Sequence, residues 1–347
     1  MPITEQQLKQ NVETLGPKLE ELIGLLNQVL LGKEELITNL VTGILAGGHV
    51  LLEGLPGLGK TELVKGFARL CSIEFRRVQF TPDLLPSDIT GSYILQEGEA
   101  DGNGHRNRNF VFQPGPVFGN ILLCDEINRA SPKTQSALLE AMAEHNVTVM
   151  GETHRLPDPF FAIATQNPIE LEGTYPLPEA QVDRFLFKLH LGRPTENVLR
   201  DIVRERVNGM PPQHTAVLEL QQLRDAIAVS REIYISEAVA GYISRLVEAS
   251  HPDSDSAPSM VKQYVRYGGS PRAAIALGAS ARARALMQGQ MQAGFEAVRD
   301  LYGPVMNHRL ILDYSARMDG ITIDKVLAAI VESVDVYSKA LPAGVKA

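Results

Sequence analysis

The sequence of 347 residues contains no tryptophan and only two cysteines, Cys71 and Cys124. Both cysteines lie in apolar runs without metal-ligand spacing, so a disulfide framework or a zinc site is not indicated and buried thiols in a reducing compartment are expected. No apolar run reaches the ~18 residues of a membrane-spanning helix. The N-terminus lacks the apolar stretch of a signal peptide. We therefore expect a cytoplasmic protein without a membrane segment.

An excess of basic residues is also lacking. The formal net charge is −8 and the pI is about 5.6. This charge gives no electrostatic footprint for tight, non-specific nucleic-acid binding and argues against a nucleic acid as the partner. Hydrophobic residues make up 44% of the chain and charged residues 21%, as in ordinary globular proteins. Because the chain is longer than one hydrophobic core usually supports, we expect two domains.

Short apolar runs alternate with helical patterns between residues 49 and 189. The runs are HVLLEG (49–54), FRRVQF (75–80), ILLCD (121–125), FFAIATQ (160–166) and RFLFKLHL (184–191). This alternation predicts an α/β domain with a largely parallel sheet covered on both faces.

The flanking regions are helical in pattern. Leucines at roughly helical spacing in residues 4–31 predict one or two amphipathic helices, and the strand signal disappears after Arg193–Pro194. We therefore divide the chain into an N-terminal helical segment (1–30), an α/β core (31–192) and an all-helical C-terminal domain (193–347).

Two polar segments interrupt the α/β pattern. Residues 96–109 lie between SYIL and FVF, which predict the two strands of an inserted hairpin. Residues 146–157 predict a second hairpin that turns at Met150–Gly151–Glu152.

The stretch GLPGLGKT follows the apolar run VLL and precedes a helical pattern, so it fits the phosphate-loop motif in its proper context. Its glycines let backbone N–H groups point at phosphate oxygens, and the helix N-terminus adds positive potential. Lys60 can reach the β- and γ-phosphates, and the Thr61 hydroxyl can ligate Mg²⁺. A glycine-rich turn that binds nothing is the alternative. The predicted nucleotide-binding residues are Gly54, Leu55, Pro56, Gly57, Leu58, Gly59, Lys60, Thr61 and Glu62.

Two adjacent carboxylates, Asp125 and Glu126, end the buried run ILLCD. Such an arrangement costs hydration and adds repulsion unless a cation is present. In phosphate-loop proteins this position holds Mg²⁺, which predicts Asp125 as a metal ligand and Glu126 as the base that activates water. Successive side chains on a strand point in opposite directions, so the two acids need not face one another. Asp125 is expected to aim at the Mg²⁺ hydration shell and Glu126 past the γ-phosphate. The alternative is that Asp125 or Glu126 caps the helix that begins near Ser131–Pro132, but Ser131 already serves as that cap.

Asn167 follows another apolar strand, at the sheet edge where α/β proteins bind ligands. Beside two nucleotide motifs it is interpreted as an amide that holds the attacking water; alone it would be a turn residue. Arg184, in the short sequence Asp-Arg-Phe, either pairs with Asp183, covers the sheet edge or has a functional role.

Arg272 lies in the first turn of a helix that Ser270 and Pro271 begin. The helix dipole disfavours a cation there, so a compensating anion is expected. A bound γ-phosphate would serve, and a salt bridge to a nearby carboxylate is the alternative.

Together these residues resemble the AAA+ ATPases, and specifically the MoxR family, over most of residues 30–322. The matching stretches are HVLLEGLPGLGKT, TPDLLPSDITGS, FVFQPGPVF, ILLCDEINRASPKTQSALLEAMAEHNVTV, FFAIATQNPIELEGTYPLPEAQVDRF, GGSPRA and HRLILDYSARMDGI. The resemblance implies a P-loop NTPase fold, with an αβα core and a C-terminal helical lid. It assigns the Walker A loop to Gly54, Gly57, Gly59, Lys60 and Thr61, Walker B to Asp125 and Glu126, the first sensor to Asn167, the arginine finger to Arg184, the second sensor to Arg272 and an adenine-contacting linker to Gly32.

The resemblance also implies Mg²⁺-dependent ATP hydrolysis at the subunit interfaces of a homo-oligomeric ring, commonly a hexamer. MoxR-like proteins are similar to chaperones that insert metals or assemble complexes, often with a von Willebrand A domain partner, which would here be a separate chain. The insert at residues 96–109 falls where related rings direct a loop at the pore, so its tip or the hairpin at 146–157 is expected to touch a client protein. The alternative is that residues 96–109 form a flexible surface loop without a substrate contact. A DNA-associated motor and the ATPase subunit of a metal chelatase remain competing functions.

Overall fold

The fold is described by a computed structural model for residues 4–100, 106–168, 173–206 and 209–337. The strands are β1 Val50–Gly54, β2 Phe75–Gln79, β3 Gly91–Ala100, β4 Arg106–Pro114, β5 Ile121–Asp125, β6 Asn146–Val149, β7 Glu152–Arg155, β8 Phe161–Gln166, β9 Phe187–Leu191, β10 Val265–Tyr267 and β11 Ile311–Leu312. The helices are α1 Glu5–Val29, α2 Glu34–Leu45, α3 Lys60–Leu70, α4 Pro86–Thr90, α5 Pro132–Glu144, α6 Glu179–Val182, α7 Glu196–Glu205, α8 Leu220–Glu232, α9 Glu237–Glu248, α10 Ser259–Tyr264, α11 Pro271–Met287, α12 Phe295–Met306, α13 Tyr314–Met318 and α14 Ile323–Ser333.

The central sheet consists of five parallel strands in the order β2-β5-β8-β1-β9. All five apolar runs of the sequence form these strands, so the predicted parallel α/β core is confirmed. Because the strands are parallel, the loops after β1, β5 and β8 leave the same edge of the sheet side by side.

Both faces of the sheet are covered by helices. Leu52 points into a core cluster that includes residues of α1, α2 and α3, whereas the adjacent Leu51 points into a second cluster with Leu138 of α5. Alternating side chains of one strand therefore enter two different cores, which explains why the run reads as continuously apolar.

The N-terminal region forms one helix, α1, although one or two were expected. The Thr4 hydroxyl accepts a hydrogen bond from the Gln7 amide and caps the helix. Leu15, Leu19 and Leu22 form part of its buried stripe. The helix packs against α3 of the core and against α8 and α11 of the C-terminal half. The proposed boundaries after residues 30 and 192 stay predictions.

Two antiparallel hairpins, β3–β4 and β6–β7, project from the core. The second turns at Met150 and Gly151, whose φ angles of 51° and 87° are those of a two-residue hairpin turn. The hairpins pack together where the Phe112 ring stacks on His154 with centroids 3.8 Å apart. Residues 101–105, which follow β3 and precede β4 in the sequence, lie outside the described residues, so the predicted client contact of this insert stays a prediction.

The C-terminal half is helical, as predicted, with one addition. A short antiparallel pair, β10 and β11, joins Val265 to Leu312 and Tyr267 to Ile311. Strands of three and two residues are too short to show an alternating pattern, so no periodicity predicts them. Within the described ranges, no helix combines the length and apolar composition needed to cross a bilayer.

Arg309 joins the C-terminal helices to the core. Its side chain is 3% exposed, and its Nε donates to Asp183 Oδ1 at 2.7 Å. Its two terminal nitrogens donate to the carbonyls of Phe185 at 2.8 Å and Leu186 at 3.1 Å. These contacts hold the segment that leads into β9 against the end of α12.

We predict that Arg309→Met destabilises the fold by about 3 kcal/mol, because it removes the buried ion pair to Asp183 Oδ1 and the hydrogen bond to the Leu186 carbonyl. Urea unfolding followed by circular dichroism measures this change. Arg272→Met is the matched control, since Arg272 contacts the same Asp183 with a side chain that is 62% exposed, and we expect a loss below about 1 kcal/mol. Equal losses in the two variants would contradict the proposed difference.

Candidate active site

The phosphate loop connects β1 to α3 in a conformation that requires glycine. Gly57 and Gly59 have φ angles of 79° and 86°, which glycine adopts without strain. A Cβ on Gly54 would lie 2.7 Å from the Leu191 carbonyl oxygen. Lys60 folds back over the loop and donates to the Gly54 carbonyl at 2.8 Å. Burial lowers the pKa of Lys60, although the negative charges of Asp125 and Glu126 oppose this.

A cavity of about 200 Å³ opens between this loop and the ends of β2, β5 and β8. Its lining residues are Pro56, Gly57, Gly59, Lys60, Thr61, Glu62, Arg77, Gln79, Asp125, Glu126, Thr165 and Asn167. The structure thus brings the phosphate loop, both acids and Asn167 together. Gly54, Leu55 and Leu58 of the predicted set do not line the cavity; the first supplies the carbonyl that binds Lys60.

Asp125 ends β5 with only 7% of its surface exposed. Its Oδ2 accepts from the Arg77 Nε at 2.6 Å, and its Oδ1 accepts from the Thr165 hydroxyl at 3.3 Å. Arg77 therefore provides a cation that makes this buried carboxylate tolerable.

Glu126 lies just beyond the end of β5. Its φ of 58° is in the left-handed region, so strand alternation no longer applies and both acids line the same cavity. The Glu126 N–H donates to the Thr165 hydroxyl at 2.9 Å. Its Oε2 accepts from Gln79 Nε2 at 2.9 Å and from Arg129 at 2.8 Å.

The donor set of this cavity fits Mg²⁺. The Thr61 hydroxyl and the Asp125 carboxylate are hard oxygen ligands on the same cavity wall. Within the described parts of the chain, no group of three or more His, Cys, Asp and Glu residues could hold a metal alone. Mg²⁺ is usually bound by one or two protein oxygens together with substrate phosphates, which matches this arrangement.

Arg184 and Arg272 lie elsewhere, in a second cavity of about 430 Å³. Arg184 donates to the Leu139 carbonyl of α5 at 2.7 Å. A terminal nitrogen of Arg272 lies 3.6 Å from Asp183 Oδ2. This contact is a salt bridge, the alternative to a bound phosphate. Ser270 precedes α11, but its hydroxyl donates to Asp183 at 3.4 Å and makes no capping bond to the helix.

Gly32 lines a third cavity, of about 470 Å³. Its φ is 66°, and a Cβ would lie 2.3 Å from Val198 Cγ2. The chain near Gly32 reaches the phosphate loop through Leu30, whose Cδ1 would lie 2.7 Å from a Cβ on Gly59. Contact of Gly32 with adenine stays a prediction.

Sequence reasoning missed three residues of the first cavity: Arg77, Gln79 and Thr165. Arg77 and Gln79 flank the buried Val78 on β2, so their side chains point away from the core. The available signal was the alternation of polar residues on β2. It predicts an exposed polar face, which lies beside the acidic end of β5. Thr165 is 1% exposed within an apolar strand, and a buried hydroxyl requires a nearby partner.

Comparison with known proteins identifies the family. The profile of the ATPase family associated with various cellular activities (AAA) matches residues 49–187, and that of the AAA lid domain matches residues 257–330. Chaperone MoxR1 of Mycobacterium tuberculosis is 40% identical over 91% of this chain and 81% of its own length. The chain belongs to the MoxR family of AAA+ ATPases.

Two further comparisons cover most of both chains. Protein MoxR of Methylorubrum extorquens is 31% identical over 87% of this chain and 90% of its own. A crystal structure of a candidate ATPase from Cytophaga hutchinsonii superposes with a TM-score of 0.85 at 38% identity, over 94% of this chain and 97% of that chain. The resemblance inferred from the motifs and the predicted core-plus-lid fold are therefore confirmed.

We predict that Thr165→Val lowers the kcat for ATP hydrolysis about tenfold in this MoxR-family chain. The change keeps the side-chain shape but removes the hydroxyl that donates to Asp125 and accepts from the Glu126 N–H, so the left-handed backbone at Glu126 loses its anchor. Nucleotide affinity should stay within about threefold, because the phosphate loop is untouched. Thr165→Ser, which retains the hydroxyl, is the matched control. A valine variant with unchanged kcat in steady-state assays would show that this anchor is dispensable.

Proposed function

We propose that the chain is a Mg²⁺-dependent ATPase that works as a ring, most simply a hexamer, and uses ATP hydrolysis to remodel, assemble or metallate client protein complexes. One observation carries the proposal. Lys60, Asp125, Glu126 and Asn167 line one cavity, as hydrolysis requires, whereas Arg184 lines another.

The residues of the first cavity divide the work of hydrolysis. Lys60 and the N-terminus of α3 bind the phosphates of ATP. Thr61 and Asp125 would hold Mg²⁺, which when bound would offset the negative charge of the phosphate oxygens. Glu126 takes the proton of the attacking water, and Asn167 holds that water in line. Gln79 and Arg129 donate hydrogen bonds to the Glu126 carboxylate, so the proposed base is held in place at the cavity.

Arg184 and Arg272 act on the nucleotide of a neighbouring subunit. They share a cavity that is lined by neither the phosphate loop nor the two acids. A face that offers arginines and a face that offers phosphates meet head-to-tail, and such heterologous contacts close into rings. An arginine finger contributes about 10³–10⁵ in rate, so a subunit without a neighbour would hydrolyse ATP slowly.

The client-directed part of the proposal rests on the hairpins and on the relatives. The described part of the first hairpin exposes large apolar side chains, with Phe110 69% exposed, and Met150 at the tip of the second is 80% exposed. Such side chains favour contact with a protein. One relative is called a chaperone. We infer a protein client in the cytoplasm and a separately encoded von Willebrand A domain partner.

Glu126→Gln is expected to keep ATP binding and to lower kcat by about 10²–10⁴, because the amide cannot accept the proton of water. Binding is measured with a fluorescent ATP analogue and turnover by phosphate release. Lys60→Ala is the contrasting variant and should lose binding itself. Undiminished turnover by the glutamine variant would remove Glu126 from its role.

Mixing two inactive variants tests action between subunits. Arg184→Ala keeps an intact phosphate cavity, and Lys60→Ala keeps an intact arginine, so some interfaces in a mixed ring contain every required group. We expect the mixture to recover ATPase activity that neither variant shows alone.

The matched control for this experiment mixes Glu126→Gln with Lys60→Ala. Both changes damage the same side of the interface, so no interface is complete and no recovery is expected. Absence of recovery in the Arg184→Ala mixture, with ring assembly verified by size-exclusion chromatography, would contradict action in trans.

A further inference from the structure

Gln135, in the first turns of α5, makes more polar contacts than a core residue needs. It is fully buried, and its Nε2 donates to the carbonyls of Ile127 and Ala130 at 3.1 Å each and of Tyr175 at 2.9 Å. All three partners are acceptors, so the amide nitrogen must face them. Gln135 thus links the loop after Glu126 to a segment that lies 40 residues away in sequence.

The backbone of Tyr175 is held from two sides. Its N–H donates to the Asn128 carbonyl at 2.6 Å, and its carbonyl accepts from Gln135. The Tyr175 side chain is 47% exposed, so the backbone and not the ring fixes this segment. Two residues later, Leu177 is buried in the same core cluster as α5.

The Gln135 amide joins two segments through its nitrogen, while its oxygen is left over. Its Nε2 donates to carbonyls of both segments, whereas Gln135 Oε1 and Asn128 Oδ1 are buried without a hydrogen-bond partner, and each such atom costs free energy. An apolar side chain of the same volume would avoid the cost at Oε1 but would leave the three carbonyls without this donor. The amide is therefore matched to the path of the two segments that it joins.

The segment held by Gln135 leads directly to Arg184. After Tyr175 the chain forms α6, where Gln181 donates to the Ser136 hydroxyl of α5 at 3.5 Å. Arg184 then donates to the Leu139 carbonyl, farther along α5. One helix therefore holds this segment at its beginning and at its end, and the same helix starts at the loop after Glu126.

We propose that Gln135 is a positioning residue for Arg184. Through Arg184, Gln135 affects hydrolysis of the ATP bound to the neighbouring subunit, although Gln135 itself packs against the loop after Glu126 of its own subunit. This inference rests on the proposed function, in which Arg184 acts in trans. Gln135 touches no nucleotide; it sets the path of residues 173–184 on α5.

Gln135→Met preserves the side-chain volume and removes the amide nitrogen, whose two hydrogens are shared among the carbonyls of Ile127, Ala130 and Tyr175. We expect the pure variant to bind ATP with unchanged affinity and to lose about ten- to a hundredfold in kcat, the effect of a misplaced catalytic group. Gln135→Asn, which keeps an amide on a shorter side chain, provides a second variant should the methionine variant fail to fold. Thr134→Val is the matched control. It removes the hydroxyl that donates to the Leu84 carbonyl and contacts the Ser131 hydroxyl at the start of the same helix, and it should leave kcat near that of the unmodified protein.

Mixed rings decide whether the defect lies in cis or in trans. Gln135→Met mixed with Lys60→Ala should recover activity, because the Lys60→Ala subunit offers a correctly placed Arg184 to the intact cavity of its neighbour. Gln135→Met mixed with Arg184→Ala should not recover, because neither subunit offers a competent arginine.

The opposite pattern, or equal behaviour of the two mixtures, would overturn the inference and assign the defect to the subunit's own cavity or to general damage. The Arg184→Ala and Lys60→Ala mixture runs in parallel. Recovery there with failure of the Gln135→Met and Lys60→Ala mixture rejects the role of Gln135 alone. Failure of the parallel mixture rejects the proposed trans action and the role of Gln135 with it.

Discussion

The need to neutralise a buried carboxylate governs the architecture of the nucleotide cavity. Asp125 is 7% exposed at the end of β5, where an uncompensated charge would cost several kcal/mol. The neighbouring strand β2 supplies the compensation, since Gln79 is in register with Asp125 and Arg77 lies two residues before it. Lys60 approaches from the phosphate loop, where the acids favour its charged form against burial. A magnesium–triphosphate group would therefore bind beside two acids that already have Arg77, Arg129 and Lys60 near them.

The parallel sheet determined how far sequence could predict this site. Apolar runs located all five strands, and parallel connection brings their carboxyl ends to one edge, so Lys60, Asp125 and Asn167 could be placed together before any coordinates. The left-handed backbone of Glu126 could not be predicted, because only the Thr165 hydroxyl from β8 anchors its N–H. The ion pair of Arg77 with Asp125 could not be predicted either, since it depends on which strand lies beside β5. Local pattern identifies elements, whereas strand order decides which side chains meet.

The same limit applies to the arginines. The dipole argument identified Arg272 as a cation in need of an anion, and left open whether phosphate or carboxylate supplies it. The structure provides Asp183 at 3.6 Å, a contact across 89 residues that no periodicity signals. Arg184, adjacent to that acid, was recognised only by family resemblance, because a short Asp-Arg-Phe sequence carries no chemistry of its own. Its role, like that of Asn167, rests on the proposed function.

Asp183 has two arginine partners of different character, which suggests how the C-terminal helices can respond to a nucleotide without detaching. Arg309 is 3% exposed and binds Asp183 at 2.7 Å, together with backbone carbonyls. Arg272 is 62% exposed and 3.6 Å away, a weak, solvent-screened pair. A phosphate of a neighbouring subunit could therefore attract Arg272 away from Asp183 at little cost. The Arg309 contact would persist, so the helices would move about a fixed attachment to the core.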